Sequence, residues 1–137
     1  ACRPGGGGIR RMIQLQSGFD SWAAHTAVAM GEPSHWTFPE GPFAGKRIAQ
    51  LMLPSRRGVI RAISTSEDFA HVPGIIEVEM KLRPGDVVSG LMDSASTSGL
   101  IFVQMDDERH LDQIVKAIAD AFYIEVDASA ADDFGNQ

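Results

Sequence analysis

The chain has 137 residues, 44% hydrophobic and 22% charged, which fits one globular domain with a real core and no room for two. It holds no apolar run of about 18 residues, so nothing in it spans a membrane, and no basic segment leading into a short apolar one, so no signal peptide is visible, which says little about the parent protein. Its net charge of −6, an acidic second half and few aromatics argue against a nucleic-acid surface, and its one cysteine, Cys2, excludes an internal disulfide and argues for a reducing, cytoplasmic setting.

The charge is unevenly spread. Residues 1–64 carry eight Lys and Arg against three Asp and Glu, whereas residues 65–137 carry four against fifteen. The basic part holds the run Cys2-Arg3-Pro4-Gly5-Gly6-Gly7-Gly8-Ile9-Arg10-Arg11. Consecutive glycines let bare backbone N–H groups approach a ligand closely. Arg3, Arg10 and Arg11 around them suit a phosphate or carboxylate, which guanidinium groups bind in bidentate fashion. The alternative readings are a flexible glycine linker and solvated surface arginines. The chain begins with Ala, not Met, so it reads as a processed piece or a fragment, and part of this anion site is expected to be missing.

In chain order, Ile9–Gln16 reads as a helix, with Ile9, Met12, Ile13 and Gln16 on one face. Its N-terminal dipole would point at whatever the glycines hold. Asp20–Met30 is a second helix, capped by Ser17 or Asp20, with Phe19, Trp22, Ala23, Thr26, Ala27 and Met30 along one face and Gly31 and Pro33 stopping it. His25 has no second ligand at metal spacing and reads as a structural residue. Residues 31–45 form a long loop pinned by Trp36, Phe38 and Phe43.

From Arg47 the pattern changes to strands. Arg47–Leu53 and Gly58–Ile63 are separated by a Pro-Ser-Arg-Arg turn. A short helix follows at 65–71, with a Ser/Thr cap. Ile75–Leu82 alternates, with Ile76, Val78, Met80 and Leu82 toward the core and Glu77, Glu79 and Lys81 away from it. After a brief strand at Val87-Val88 and a Ser/Thr/Gly loop, Leu100–Met105 is an apolar run suited to a strand buried on both faces. A helix carrying Leu111, Ile114, Val115, Ile118 and Phe122, then a strand at Tyr123–Val126, complete the order. The fold class expected is α+β, a mainly antiparallel sheet with helices packed on one side.

With the glycine run and this layout placed, the chain resembles the C-terminal part of ATP-grasp ligases, carboxylate–amine ligases of the amino-acid-ligase type. The stretches that carry the resemblance are A-C-R-P-G-G-G-G-I, S-G-F-D, and V-P-G-I-I-E-V-E-M-K-L-R-P-G-D-V-V with its small-residue loop and final helix. It implies that residues 1–126 are the C-terminal portion of an ATP-grasp domain. Within it, 1–45 would be an active-site edge with helices and 46–126 an α+β subdomain, ahead of a disordered tail at 127–137.

The family joins a small-molecule carboxylate and an amine through an acyl phosphate, using ATP and magnesium and releasing ADP. By the resemblance, Arg3 is catalytic and holds the acyl phosphate or substrate carboxylate, and Gly5, Gly6, Gly7 and Gly8 bind substrate or phosphate. The family's metal-binding asparagine falls on Ala1, so no metal ligand is assigned to this chain, and ATP and magnesium would be held by upstream ATP-grasp lobes. The chain alone is expected to bind ATP weakly and to lack turnover. A non-catalytic binding or assembly module, including a homodimer, is the second reading. A hydrolase built on Ser94, Ser96 or Ser98 with Asp93 lacks a nucleophile elbow and is the weakest.

Overall fold

The computed structural model describes residues 6–32, 37, 40–88 and 96–128. Its organising element is strand β5, Thr97–Met105, in which every residue except Gln104 is buried. β5 pairs antiparallel with β1 (Arg47–Pro54) on one side and β3 (Ile75–Met80) on the other, giving a sheet of order β1-β5-β3. A second antiparallel sheet has β2 (Gly58–Ile63) between β4 (Val87–Val88) and β6 (Ile124–Asp127). The helices are α1 (Ile9–Ser17), α2 (Ser21–Ala29) and α3 (Leu111–Ala121), and none in the described residues is long and apolar enough to cross a membrane.

The two faces of β5 take different partners. Ile101, Val103 and Met105 pack with Ile114 and Ile118 of α3 and with Phe69 and Val72. Leu100 and Phe102 point the other way and pack with Leu15 of α1, joined by Met12, Phe43, Ile48 and Ile76. The class is α+β with antiparallel sheets, but the helices are not on one side: α1 and α3 cover opposite faces of the sheet. The cause is the absence of polar alternation in β5, which gives both faces an apolar row to cover. The expected strand at Leu100–Met105 is thereby extended back to Thr97.

Local chemistry sets the ends of the elements. Asp20 caps α2, its Oδ1 accepting from the N–H groups of Trp22 (3.0 Å) and Ala23 (3.2 Å). Ser17 instead donates to Ile13 O (2.7 Å) within α1. Asp68 accepts from the Thr65 N–H (2.7 Å) and starts the 3-10 turn Ser66–Phe69. Ser64 is buried and ties β2 to α3, donating to Ala121 O (3.1 Å) and accepting from Tyr123 N–H (2.8 Å). Met80 and Phe122 touch the cores of both sheets.

Four sequence expectations are corrected. In α1 the buried residue is Leu15, and Ile9 is exposed. In α2 only Ala24 is buried, while Trp22, Val28 and Met30 are exposed, and its main contact among the described helices and strands is with α1. In β3 a bulge between Ile75 and Glu77 puts Ile76 on the α1 side while Val78 and Met80 face α3. In α3, Val115 is exposed at 40%, outside the buried stripe of Ile114 and Ile118. Phe43 does pin its loop, packing on Leu15 and donating its N–H to Leu15 O (3.1 Å). Trp36, Phe38 and residues 129–137 lie outside the described residues, and β6 includes Asp127.

Ile101→Ala should cost about 4 kcal/mol in urea unfolding, because it empties the space between β5 and α3. Val115→Ala should stay within about 0.5 kcal/mol. The Arg10 guanidinium beside Asp20, helped by the Ala23 N–H, holds the Asp20 carboxyl below its ordinary 3.8. A depressed folded-state value means that the α2 cap is intact above the ordinary value and is lost as pH falls through the lowered one. An NMR titration should show Asp20 ionising below 3.8 with the α2 amides shifting in step, and Asp20→Asn should remove that step.

Candidate functional site

The described glycines sit at the head of α1. Gly8 is its N-cap, with φ of 90° and no side-chain cap, and Gly7 also has a positive φ of 64°. Gly6 and Gly7 are exposed, with open space where a Cβ would lie. Gly8 differs: a Cβ there would stand 2.4 Å from Gln50 Oε1 and 3.0 Å from the Phe102 ring. Gln50 of β1 and Phe102 of β5 are register partners, so Gly8 rests on the sheet where these two strands pair. The first N–H groups of a helix lack intrahelical partners, and the macrodipole favours negative charge there. The head of α1 can therefore present N–H groups and partial positive charge toward solvent while its back is fixed against β1 and β5.

Gln50 was not singled out from sequence. Its Oε1 is buried and has no hydrogen-bond partner among the described residues. The signal was available, because Gln50 is the lone polar residue between Ile48 and Leu53 in β1.

The flanking arginines are not free for an anion. Arg10 donates to both oxygens of Asp20 (3.2 and 2.7 Å), and its guanidinium lies 5.8 Å from the Trp22 ring centroid. Arg11 donates through Nε and an Nη to Glu77 Oε2 (2.8 and 2.7 Å). These pairs hold α1 to α2 and to β3, and the expectation that both arginines face a ligand is corrected. Glu77, expected to point away from the core, does so, and it meets α1 there. Arg3 and Gly5 lie outside the described residues, so Gly6, Gly7 and Gly8 are the candidate residues that the structure brings together.

Elsewhere, a cleft of about 270 Å³ opens between the start of β3 and α3, lined by Gly74, Gln104, Asp106, His110 and Ile114 among others, and contains none of the glycine run. The acids near it are held in pairs: Asp106 with Lys46, Asp107 with Arg109 and Glu108 with Arg47. The Lys46 ammonium keeps Asp106 below the usual carboxylate range, and the Arg109 guanidinium does so for Asp107. Among the described residues no group of three His, Cys, Asp or Glu could hold a metal ion. Ser98, one of the serines considered as a nucleophile, is fully buried in β5 and donates to Pro54 O (2.7 Å). Ser94 and Asp93 lie outside the described residues.

Residues 50–127 match the family model described as L-amino acid ligase C-terminal domain 2. The chain belongs to that family. The match starts at Gln50 and runs to the end of β6, so the family domain contains both sheets and α3. A curated relative, the L-arginine-specific L-amino acid ligase of Bacillus subtilis, is 26% identical over 124 residues, covering 90% of this chain and 29% of that protein. The crystal structure of L-amino acid ligase from Bacillus licheniformis aligns with a TM-score of 0.65 at 15% identity, over 90% of this chain and 30% of that one. Phosphoribosylglycinamide synthetase from Anaerococcus prevotii aligns with a TM-score of 0.57 at 15% identity, over 88% and 30%. The chain thus spans less than a third of the length of these relatives and shares the fold of their corresponding part. The resemblance to a C-terminal part of an ATP-grasp ligase holds.

Gly8→Ala should cost about 2 kcal/mol or more, from left-handed strain and the clash with Gln50, whereas Gly6→Ala should be near neutral. In a double-mutant cycle read by urea unfolding, Gln50→Ala should recover the clash part of the Gly8→Ala loss and leave the strain part.

Proposed function

We propose that this chain is the C-terminal part of an ATP-dependent carboxylate–amine ligase that forms an amide through an acyl phosphate. The observation that carries this reading is the family match from Gln50 onward, with Gln50 lying beneath the glycine-capped head of α1. Fragment status is supported by the relatives, which are about three times as long as the aligned segment.

The chain's own share of the work is binding and positioning. Arg3 holds the developing acyl phosphate or the substrate carboxylate, where a charge-assisted bidentate contact is strong. Gly5, Gly6, Gly7 and Gly8 offer backbone N–H groups to the same oxygens, and open space at Gly6 and Gly7 lets a substrate approach the backbone. Fixed donors need no reorganisation as charge moves, which makes a rigid helix head effective. The Arg10–Asp20 and Arg11–Glu77 pairs link α1, behind that head, to the N-cap of α2 and to β3. Among the described residues no group of three His, Cys, Asp or Glu is placed to hold a metal ion. In this reading ATP and magnesium are held by upstream ATP-grasp lobes, the chain alone is inactive, and the ligase is cytoplasmic.

The test is phosphate release by the ligase polypeptide carrying this segment, with ATP, a carboxylic acid and an amine. Arg3→Ala should lower kcat/KM about 100-fold or more, in the range seen when a transition-state anion loses a donor, with unfolding unchanged. Activity that survives Arg3→Ala removes Arg3 from the mechanism. The isolated chain should show no turnover at any ATP concentration.

A further inference from the structure

The three-stranded sheet has two outer strands, and they differ in how they are protected. β3 is a guarded edge: it is bulged between Ile75 and Glu77, and it carries Glu77 and Glu79, with Lys81 just beyond it. Bulges and charges are the usual means by which proteins keep edge strands from pairing. β1 has neither in its interior. From Ile48 to Leu53 it reads I-A-Q-L-M-L with no charge, and its irregularity is confined to the last step, Leu53 to Pro54. Among the described residues nothing pairs with its outer side.

An apolar groove of about 270 Å³ runs beside this edge, lined by Leu51, Met52, Pro54, Val115, Ala119 and Phe122. Met52 is 57% exposed and Val115 40%. An edge with a charge-free run of six residues, Ile48 to Leu53, and an apolar flank is a liability in a finished protein. The relatives supply the occupant, because about 70% of each lies outside the aligned segment.

We propose that the β1-β5-β3 sheet is continued at β1 by a strand from the rest of the ligase polypeptide, with apolar residues beside that strand filling the groove against α3. The proposal rests on the reading of the chain as part of a longer ligase, and it names the contact by which the two parts are joined. Main-chain hydrogen bonds along β1 fix the register of the incoming strand, and Gln50 lies in the same strand. The contact therefore places the glycine-capped head of α1 relative to the remainder of the enzyme.

The test is hydrogen–deuterium exchange on the full ligase polypeptide, comparing segment 47–54 with segment 75–80 in the same molecule. A strand paired on both sides protects all its amides, whereas an outer strand leaves about half of them open. The outward half of the β1 amides should exchange at least about ten-fold more slowly than their β3 counterparts at every protein concentration. Met52→Lys should reduce that protection, and Glu79→Lys should leave it unchanged. Equal exchange in the two segments overturns the proposal. Protection that disappears on dilution also overturns it and assigns the edge to a second copy of the chain. ATP-dependent amide formation, measured on the same preparation, separates the two readings: ligation without protection removes the docking strand, and protection without ligation removes the ligase assignment.

Discussion

Burial of β5 on both faces is the constraint on which the rest of this structure depends. A strand with a central apolar run and every residue but Gln104 buried cannot lie on a surface, so each face must be roofed. Ile101, Val103 and Met105 draw α3 onto one side, and Leu100 and Phe102 draw α1 onto the other. The position of the glycine run follows from the second contact. With α1 held by Leu15 and Met12, its N-terminus falls above Gln50 and Phe102, where a residue larger than glycine does not fit at position 8. Placement of the candidate site is thus a consequence of core packing before any ligand is considered.

The uneven charge distribution has a structural meaning that composition alone misdirects. An excess of cations in the first 64 residues suggested an anion-binding surface. Four of those eight cations reach acids in the second half instead: Arg11 to Glu77, Lys46 to Asp106, Arg47 to Glu108 and Arg61 to Asp127. Opposite charges far apart in sequence are brought together by the antiparallel pairing of β1 with β5 and of β2 with β6. These pairs are substantially exposed and individually contribute little. The two arginines that follow the glycine run are paired as well, Arg10 with Asp20 and Arg11 with Glu77.

The parts of the fold legible in the sequence were those with one strong period. The apolar run of β5, the capped start of α2 at Asp20 and the Thr65–Asp68 turn each carry a local signal that tertiary contacts do not override. What could not be read was which face an element presents. Ile76 changes sides because an extra residue is accommodated against β5, and that depends on the partner strand. The apolar face assigned to α2 is left largely exposed, since its main contact among the described helices and strands is with α1. At the site, the glycines were visible, but Gln50 was not, because its importance comes from a register partner more than fifty residues away.

The exposed apolar residues then acquire a common explanation. Trp22, Val28 and Met30 on α2, and Met52 and Val115 beside β1, are large side chains at surfaces where a complete domain would place polar ones. A helix that is apolar on all sides is normally buried. The well-packed interior around β5 shows that the sequence has no shortage of means to make a core, so the apolar exterior is not a failure of folding. It fits a segment whose relatives are about three times its aligned length, with surface left to meet the remaining chain. On the proposed reading the domain carries the α1 head, and its outer apolar surfaces position that head against the remaining chain. The chemistry assigned to Arg3 and the glycines then depends as much on those surfaces as on the glycines themselves.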